Sequence, residues 1–292
     1  MYLRATAKIN LALDVVGIRE DHYHEVRMVM QMVGMYDRLN LHPEKGKPGI
    51  RLTTNLKYIP TDENNLVVKA ASLLMEEAGV TDGLSIHLNK FIPVAAGLAG
   101  GSSDAAMTMT GVNRLFHLGL SEEELMARGK EIGADVPFCI LRGTALSEGI
   151  GEILTPLRPM PKADILLCKP NISVSTKDVY TRLDENGIKV HPDVDGMLAA
   201  IGSGDLEALT EPGCMSNVLE NVTGARYPVI AAIERTMMEE GALNAIMSGS
   251  GPTVFGIFND HDRAEACRWR LWLERPHART FLTWPDNTVM LE

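Results

Sequence analysis

The chain has 292 residues, of which 45% are hydrophobic and 23% are charged, and its formal net charge at pH 7 is −10. This composition is typical of a globular protein with one large domain or two of moderate size. The negative charge disfavours a general nucleic-acid binder and a protein attracted to anionic membranes.

Cysteine usage and hydropathy bear on where the protein works. The four cysteines lie far apart without a Cys-x-x-Cys pair, which favours isolated reduced thiols over a disulfide framework or a zinc site. The chain opens without a charged and apolar leader, and no apolar run is long enough to cross a bilayer. We therefore expect a cytoplasmic protein.

Strands dominate the predicted elements of the first ninety residues. Alternating side chains predict a strand over Met1–Val16, with Lys8 and Asn10 on the same face. Helical spacing predicts a helix over Asn64–Ala78, for which Asp62 is the candidate cap. The other strands predicted in this part are Val26–Met35, Arg38–His42, Ile50–Thr54 and Leu84–Leu88.

Helices and a second group of strands follow. The spacing predicts a helix over Ala105–Leu118, and a capping box at Ser121 opens another that Gly133 ends. Arg158–Lys162, rich in proline, is the best linker candidate. Strand and helix signals alternate again beyond it. This order predicts an α+β protein of two lobes, residues 1–160 and residues 161–292.

A glycine-rich segment, Pro93–Ser103, precedes the helix predicted at Ala105. A backbone with few side chains that ends at a helix N-terminus can surround an anion with its amides. The segment lacks the Walker spacing and the Gly-x-Gly-x-x-Gly dinucleotide turn. Phosphate binding and tight backbone packing both remain possible from this segment alone. The same holds for Ser248–Thr253, which reads as a phosphate nest or as a hairpin turn.

Two charged residues are candidates for catalysis. Lys8 lies among apolar residues, about 6–7 Å from Asn10 along the predicted strand, so it is either solvated at an edge or directed into a cleft. Asp135 follows the end of a predicted helix, and Pro137 predicts an extended Val136. Asp135 is either a turn aspartate bound to its own backbone or a base kept ionised by Lys8.

Two histidines flank Tyr23 at positions 22 and 24 and offer a pair of imidazoles. No third ligand stands at useful spacing, so a metal site is disfavoured.

Three motifs in order resemble those of the GHMP kinase family. They are Ala7-Lys8-Ile9-Asn10, the glycine-rich segment Pro93–Ser103, and Ser248-Gly249-Ser250-Gly251-Pro252-Thr253. Tyr23-His24 and Gly133-Ala134-Asp135-Val136-Pro137 are similar to the branch of that family that phosphorylates a cytidine-diphosphate derivative of methylerythritol. The resemblance implies the two-lobed GHMP kinase fold, with a lobe like ribosomal protein S5 domain 2 followed by a ferredoxin-like lobe.

The resemblance also implies roles for particular residues. Asp135 matches the catalytic base and Lys8 its partner, while Asn65 and Lys90 lie near the nucleotide; ATP and Mg²⁺ are the expected cofactors, with no metal ligand assigned to a side chain. The residues matched to the ATP phosphates are Pro93, Val94, Ala95, Ala96, Gly97, Leu98, Ala99, Gly100, Gly101, Ser102 and Ser103. Those matched to the substrate are Asn10, Tyr23, His24, Thr176 and Tyr180.

This sequence departs from the family pattern at a few positions. His22 stands where glycine is usual, and Ala95, Ala96 and Ala99 replace some glycines of the segment. A positive φ at His22 would be costly for a residue with a side chain. Two other functions remain possible: another small-molecule kinase of the family, of the mevalonate or homoserine type, and a non-catalytic ligand sensor.

Overall fold

A computed structural model describes residues 1–288 and contains two β-sheets with helices packed around them. The elements of the first half are β1 (Tyr2–Ile18), β2 (His24–Glu44), β3 (Ile50–Thr54), α1 (Leu66–Glu77), β4 (Gly83–Asn89), α2 (Gly100–Leu115), α3 (Glu122–Ile132), α4 (Val136–Leu141), β5 (Thr144–Glu148) and β6 (Ile153–Pro156). Those of the second half are β7 (Asp164–Lys169), α5 (Thr176–Asn186), α6 (Val194–Ser203), α7 (Leu206–Thr210), α8 (Glu220–Arg226), α9 (Val229–Glu239), β8 (Asn244–Met247), β9 (Val254–Phe258), α10 (His261–Glu274) and β10 (Arg279–Thr283).

A long antiparallel hairpin, β1 with β2, is the frame of the first sheet. The order of that sheet is β3-β4-β2-β5-β6, with β1 paired to β2, and the order of the second is β10-β7-β9-β8. The pairing of β1 is shifted between Thr6 and Ala7 and again between Asn10 and Ala12. Such shifts increase local twist, and they flank the part of β1 that carries Lys8.

One expectation about these strands is wrong, and one of the two alternatives for Lys8 is excluded. The runs predicted as separate strands, Val26–Met35 and Arg38–His42, form one strand, because the backbone continues its pairing through both. β1 also has no solvated face around Lys8, since Lys8 is 5% exposed and Asn10 is fully buried. The reading of Lys8 as an exposed edge residue is thereby removed.

The apolar core extends across both sheets. One cluster packs α1 and α2 on the first sheet and includes Leu41, Leu74 and Ala106. Another joins the two sheets, with Ile9 of β1 and Phe255 of β9 among its members. The division into lobes at residue 160 therefore stays a prediction.

Helix boundaries differ from the predicted ones where they matter for function. α2 begins at Gly100, five residues before Ala105, so Ser102 to Asp104 lie inside the helix. Asn65, rather than Asp62, caps α1 by accepting a hydrogen bond from the Val67 amide.

The region around Asp135 also differs from the prediction. Val136 is not extended but opens α4, because a proline fits the first turn of a helix, where its missing amide has no intrahelical partner. Asp135 therefore stands before a helix rather than after one. The capping box at Ser121 is confirmed by hydrogen bonds in both directions with Glu124.

Within the described residues 1–288, no helix is long and apolar enough to cross a membrane.

Candidate active site

A cleft of about 1200 Å³ gathers the polar residues singled out from the sequence. Its walls come from β1, the start of β2, the segment before α2, α5 and the turn between β8 and β9. Ligand pockets for drug-sized molecules are commonly about 300–1,000 Å³. The cleft is therefore large enough for two substrates at once.

The glycine-rich loop (Pro93–Ala99) is fixed to two distant parts of the chain. The Lys8 amide donates a hydrogen bond to the Leu98 carbonyl at 3.1 Å, and Ser248 Oγ donates one to the Gly97 carbonyl at 2.9 Å. Gly97 has a φ of 77°, and a Cβ there would lie 2.2 Å from the Ser248 carbonyl oxygen. Only glycine fits this close approach.

The loop leads directly into the N-terminus of α2. Ala95 and Ala99 have φ values of 50° and 52°, a region that costs a residue with a side chain roughly 1–2 kcal/mol. Ala99 is the N-cap and makes no side-chain capping bond, so the first amides of the helix lack that partner. Unpaired amides and the positive end of a 16-residue helix together form a candidate anion site.

Lys8 and Asp135 face each other beside this anion site. Lys8 Nζ lies 4.0 Å from Asp135 Oδ1, and it donates a hydrogen bond to Asn10 Oδ1 at 2.6 Å. The Lys8 side chain is 6% exposed and that of Asp135 is 34% exposed. The Asp135 carboxylate makes no capping bond to α4, although it occupies the N-cap position. A partly exposed carboxylate next to a buried cation is suited to accept a proton.

The far end of the cleft carries aromatic and imidazole rings. His24 Nε2 lies 2.7 Å from Asp184 Oδ1, and the His24 ring lies 4.6 Å from the Tyr180 ring, tilted by 35°. Burial, with a smaller contribution from the charge of Asp135, raises the pKa of Tyr180 to about 12. Tyr180 is therefore a neutral phenol throughout the physiological pH range. Tyr23, in contrast, is 60% exposed.

His22 lies in a left-handed turn that presents Tyr23 to the cleft. Its φ is 65°, so His22 adopts the left-handed conformation that favours glycine in spite of its side chain. The turn is closed by two hydrogen bonds, from the Arg19 amide to the Tyr23 carbonyl at 2.8 Å and from the Tyr23 amide to Asp21 Oδ1 at 3.2 Å.

Comparison with known proteins agrees with this arrangement. The model of the GHMP kinases N terminal domain matches residues 65–143, and that of the GHMP kinases C terminal domain matches residues 197–271. The 4-diphosphocytidyl-2-C-methyl-D-erythritol kinase of Lachnospira eligens is 55% identical over 268 residues, which are 91% of each chain. That of Lachnoclostridium phytofermentans is 50% identical over 283 residues, 96% of each chain. The chain belongs to the GHMP kinase family. Within it, the chain belongs to the 4-diphosphocytidyl-2-C-methyl-D-erythritol kinases.

Solved structures give the same assignment. A crystal structure of a 4-(cytidine 5'-diphospho)-2C-methyl-D-erythritol kinase has a TM-score of 0.83 and 32% identity, covering 98% of this chain and all of the other. The mevalonate kinase of L. major in complex with R-mevalonate has a TM-score of 0.75 at 18% identity, covering 99% of this chain and 97% of the other, which shows the fold alone. The predicted α+β GHMP kinase fold is confirmed, and the chain is an ATP-dependent kinase.

Most residues that the family resemblance singled out meet in the cleft of this kinase. The predicted residues that line it are Lys8, Asn10, Tyr23, His24, Asn65, Lys90, Pro93, Val94, Ala95, Ala96, Gly97, Ala99, Gly100, Gly101, Ser102, Asp135, Thr176 and Tyr180. Leu98 and Ser103 do not line it, because each is 1% exposed and turns into the core. Their backbone amides remain candidates, whereas their side chains do not.

Two of the predicted nucleotide residues have side chains committed to the protein. Asn65 caps α1 and also donates a hydrogen bond from Nδ2 to the Pro60 carbonyl at 2.8 Å. The Lys90 ammonium pairs with Asp37 and Asp104. These two residues can therefore contact a nucleotide only through atoms that are not already bonded within the protein.

Sequence reasoning missed Asn217, which holds the turn between β8 and β9. Asn217 Nδ2 donates hydrogen bonds to the carbonyls of Met247 and Gly249 at 2.7 and 2.8 Å. Asn217 is 4% exposed. The available signal was a single amide in a segment flanked by apolar residues, Met215-Ser216-Asn217-Val218-Leu219. Buried amides of this kind need hydrogen-bond partners.

Proposed function

We propose that this kinase transfers the γ-phosphoryl group of ATP to the tertiary 2-hydroxyl of 4-diphosphocytidyl-2-C-methyl-D-erythritol, a step of non-mevalonate isoprenoid precursor biosynthesis. The observation that carries the proposal is the approach of Lys8 Nζ to Asp135 Oδ1, 4.0 Å apart in the cleft that the glycine-rich loop also lines. A cation and a carboxylate beside an anion site are the parts that phosphoryl transfer to an alcohol requires.

Asp135 acts as the base in this mechanism. Its carboxylate accepts the proton of the substrate hydroxyl as the oxygen attacks the γ-phosphorus. The Lys8 ammonium stabilises the negative charge that develops on the attacking oxygen. Asn10 holds the Lys8 ammonium in place through the 2.6 Å hydrogen bond. A tertiary alcohol is sterically hindered as a nucleophile. Alignment of its oxygen with the γ-phosphorus therefore contributes more to catalysis than removal of its proton.

The glycine-rich loop and the first turn of α2 bind the triphosphate. Their backbone amides and the helix dipole stabilise the charge that spreads over the phosphoryl oxygens in the transition state. Because Ser248 and Lys8 fix the loop from both sides, these amides are in position before ATP binds. Preorganised donors of this kind need no rearrangement during the reaction.

Magnesium fits the oxygen donors of the cleft. In residues 1–288 there is no group of three or more His, Cys, Asp or Glu that could hold a metal by itself. The Ser102 hydroxyl, which lies at the cleft, would contribute an oxygen ligand beside the triphosphate and water. When bound, the ion neutralises charge on the β- and γ-phosphates.

The rings at the far end of the cleft bind the cytidine. The Tyr180 face and the exposed Tyr23 ring offer stacking surfaces, and His24 offers a hydrogen-bonding edge. The Tyr180 ring already pairs with His24, so a pyrimidine between Tyr23 and Tyr180 would displace or share that contact. Thr176 closes this end through a 2.8 Å hydrogen bond between its Oγ1 and Ser250 Oγ.

A coupled ADP-release assay tests the function. We expect ADP release with the cytidine-diphosphate substrate and none above background with mevalonate or homoserine, with ³¹P NMR identifying a phosphate monoester on the tertiary carbon. Turnover on mevalonate or homoserine instead would assign another activity of the family. ATP binding without ADP release on any of the three alcohols would identify a ligand sensor.

A further inference from the structure

The Lys90 ammonium lies between two buried carboxylates next to the glycine-rich loop. Its Nζ donates a hydrogen bond to Asp104 Oδ2 at 2.6 Å and another to Asp37 Oδ2. Lys90 is 7% exposed, Asp104 is 2% exposed and Asp37 is fully buried. The charge of Lys90 is therefore balanced inside the protein, before any nucleotide is present.

Asp37 also binds the chain that enters the loop. Its Oδ1 accepts hydrogen bonds from the amides of Phe91 and Ile92 at 2.5 and 2.8 Å. These are the last two residues before Pro93. A carboxylate that accepts three hydrogen bonds is fixed in orientation.

Asp104 belongs to the chain that leaves the loop, since it lies in the second turn of α2. Through Lys90, the entry of the loop is thus connected to the helix at its exit. Gly100 brings the two parts together, because a Cβ on that residue would lie 2.9 Å from Ile92 Cγ2 and 3.1 Å from Lys90 Nζ. The start of α2 rests directly on the ammonium, and a side chain at position 100 would push them apart.

We infer that Asp37, Lys90 and Asp104 form a clamp that sets the spacing between the two ends of the glycine-rich loop. In this clamp Lys90 is a positioning residue for the phosphate-binding amides rather than a ligand of the nucleotide. The inference rests on the proposed function in one respect, that the loop binds the triphosphate. The clamp itself is a property of the nucleotide-free chain and can be measured there.

Hydrogen exchange of the nucleotide-free protein tests the clamp. We expect Lys90→Met to increase the exchange rates of the amides in residues 94–102 at least about tenfold, which corresponds to a loss of about 1.4 kcal/mol of local stability. Gly100→Ala should also increase them, since it keeps every charge but displaces Lys90 and Ile92. Gly101→Ala is the matched control for exchange, because its Cβ would meet only Leu66 Cδ1 at 3.6 Å.

Kinetics of the same variants separate positioning from direct binding. The clamp predicts that Lys90→Met and Gly100→Ala raise KM for ATP and lower kcat, each about tenfold, while KM for the cytidine substrate changes less than twofold. Weaker ATP binding in Lys90→Met with unchanged exchange in the nucleotide-free protein would identify a direct ligand and overturn the clamp. If Lys90→Met does not fold, Gly100→Ala alone tests the clamp. Unchanged amide exchange rates in that variant would overturn the clamp. Absence of ADP release by the unmodified chain contradicts the proposed function alone and leaves the exchange result valid.

Discussion

The two ends of the cleft are built in different ways. At the glycine-rich loop, backbone groups bind backbone or buried side chains, and Lys8, Asp37 and Asp104 are each 5% exposed or less. At the cytidine end, His24 and Asp184 meet through their side chains, and Tyr23 is 60% exposed. The first end is fixed by burial, whereas the second is open to solvent.

This difference suits the chemistry proposed for each end. Charge developing on a phosphoryl group is stabilised by donors that are already oriented, and a displacement of about 1 Å is costly. A pyrimidine offers a flat π-face that stacks on a ring over a range of positions. We therefore expect substitutions near the loop to affect kcat, and substitutions at the cytidine end to affect KM for that substrate.

The largest effect is expected from Asp135→Asn, which keeps the shape of the side chain and removes the base. We expect kcat to fall roughly 10³-fold, within the range for loss of a general base, with ATP affinity within about twofold of the original. Single-turnover kinetics and calorimetry of ATP binding measure the two quantities. Asp262→Asn, in the first turn of α10 and away from the cleft, is the control. A kcat within tenfold of the original would remove Asp135 from the role of base.

Gly97→Ala should be the next most damaging, because the new Cβ would lie 2.2 Å from the Ser248 carbonyl oxygen at a φ of 77°. We expect kcat/KM for ATP to fall about 100-fold and the free energy of unfolding to fall by about 2–4 kcal/mol. The control is Gly79→Ala, with a φ of 63° and nothing within 4 Å. It should cost only the backbone strain, about 1 kcal/mol. Equal losses in both variants would mean that contact with Ser248 is unimportant.

Local signals are the ones that the sequence predicts well. The capping box at Ser121 is confirmed, and the close approaches at Gly97 and Gly100 are the tight packing that the glycine-rich segment indicated, whereas phosphate binding by that segment stays a prediction. Burial of Lys8 was not predictable from alternation, since both faces of β1 are covered by elements distant in the chain. The orientation of Asp135 was missed for a related reason, as Pro137 suits an extended residue before it and also the first turn of a helix.

Contacts between distant segments account for what the sequence did not predict. Lys90 and Asp37, which pair, are 53 positions apart in the sequence. Asn217 and Met247, which share a hydrogen bond, are 30 positions apart. No periodicity or motif connects such pairs. Only the strand order, which brings β2 beside β4, places Asp37 next to the end of β4.

Tyr180→Ala should have a moderate effect confined to the cytidine end. Loss of one stacking ring is worth about 1–3 kcal/mol, so KM for the cytidine substrate should rise about 10- to 100-fold while KM for ATP stays within twofold. Tyr180→Phe keeps the ring and serves as the control, with the hydroxyl contributing little as a neutral phenol. Initial-rate kinetics with each substrate varied measure this. An equal rise of both KM values would contradict the separation of the two ends.

The smallest effect is expected from His22→Gly, for which His117→Gly is the matched control. His22 and His117 both have positive φ, 65° and 54°, but only His22 lines the cleft. Glycine relieves roughly 1–2 kcal/mol of backbone strain in either position and loses about 0.5–1 kcal/mol through the greater freedom of the unfolded chain. Both variants should therefore be slightly stabilised in thermal unfolding, by about 1 kcal/mol or less. Only His22→Gly should also change KM for the cytidine substrate, by about threefold, because it loosens the turn that presents Tyr23. A KM change of the same size in His117→Gly would show that the effect comes from overall stability, and not from the turn at the open end of the cleft.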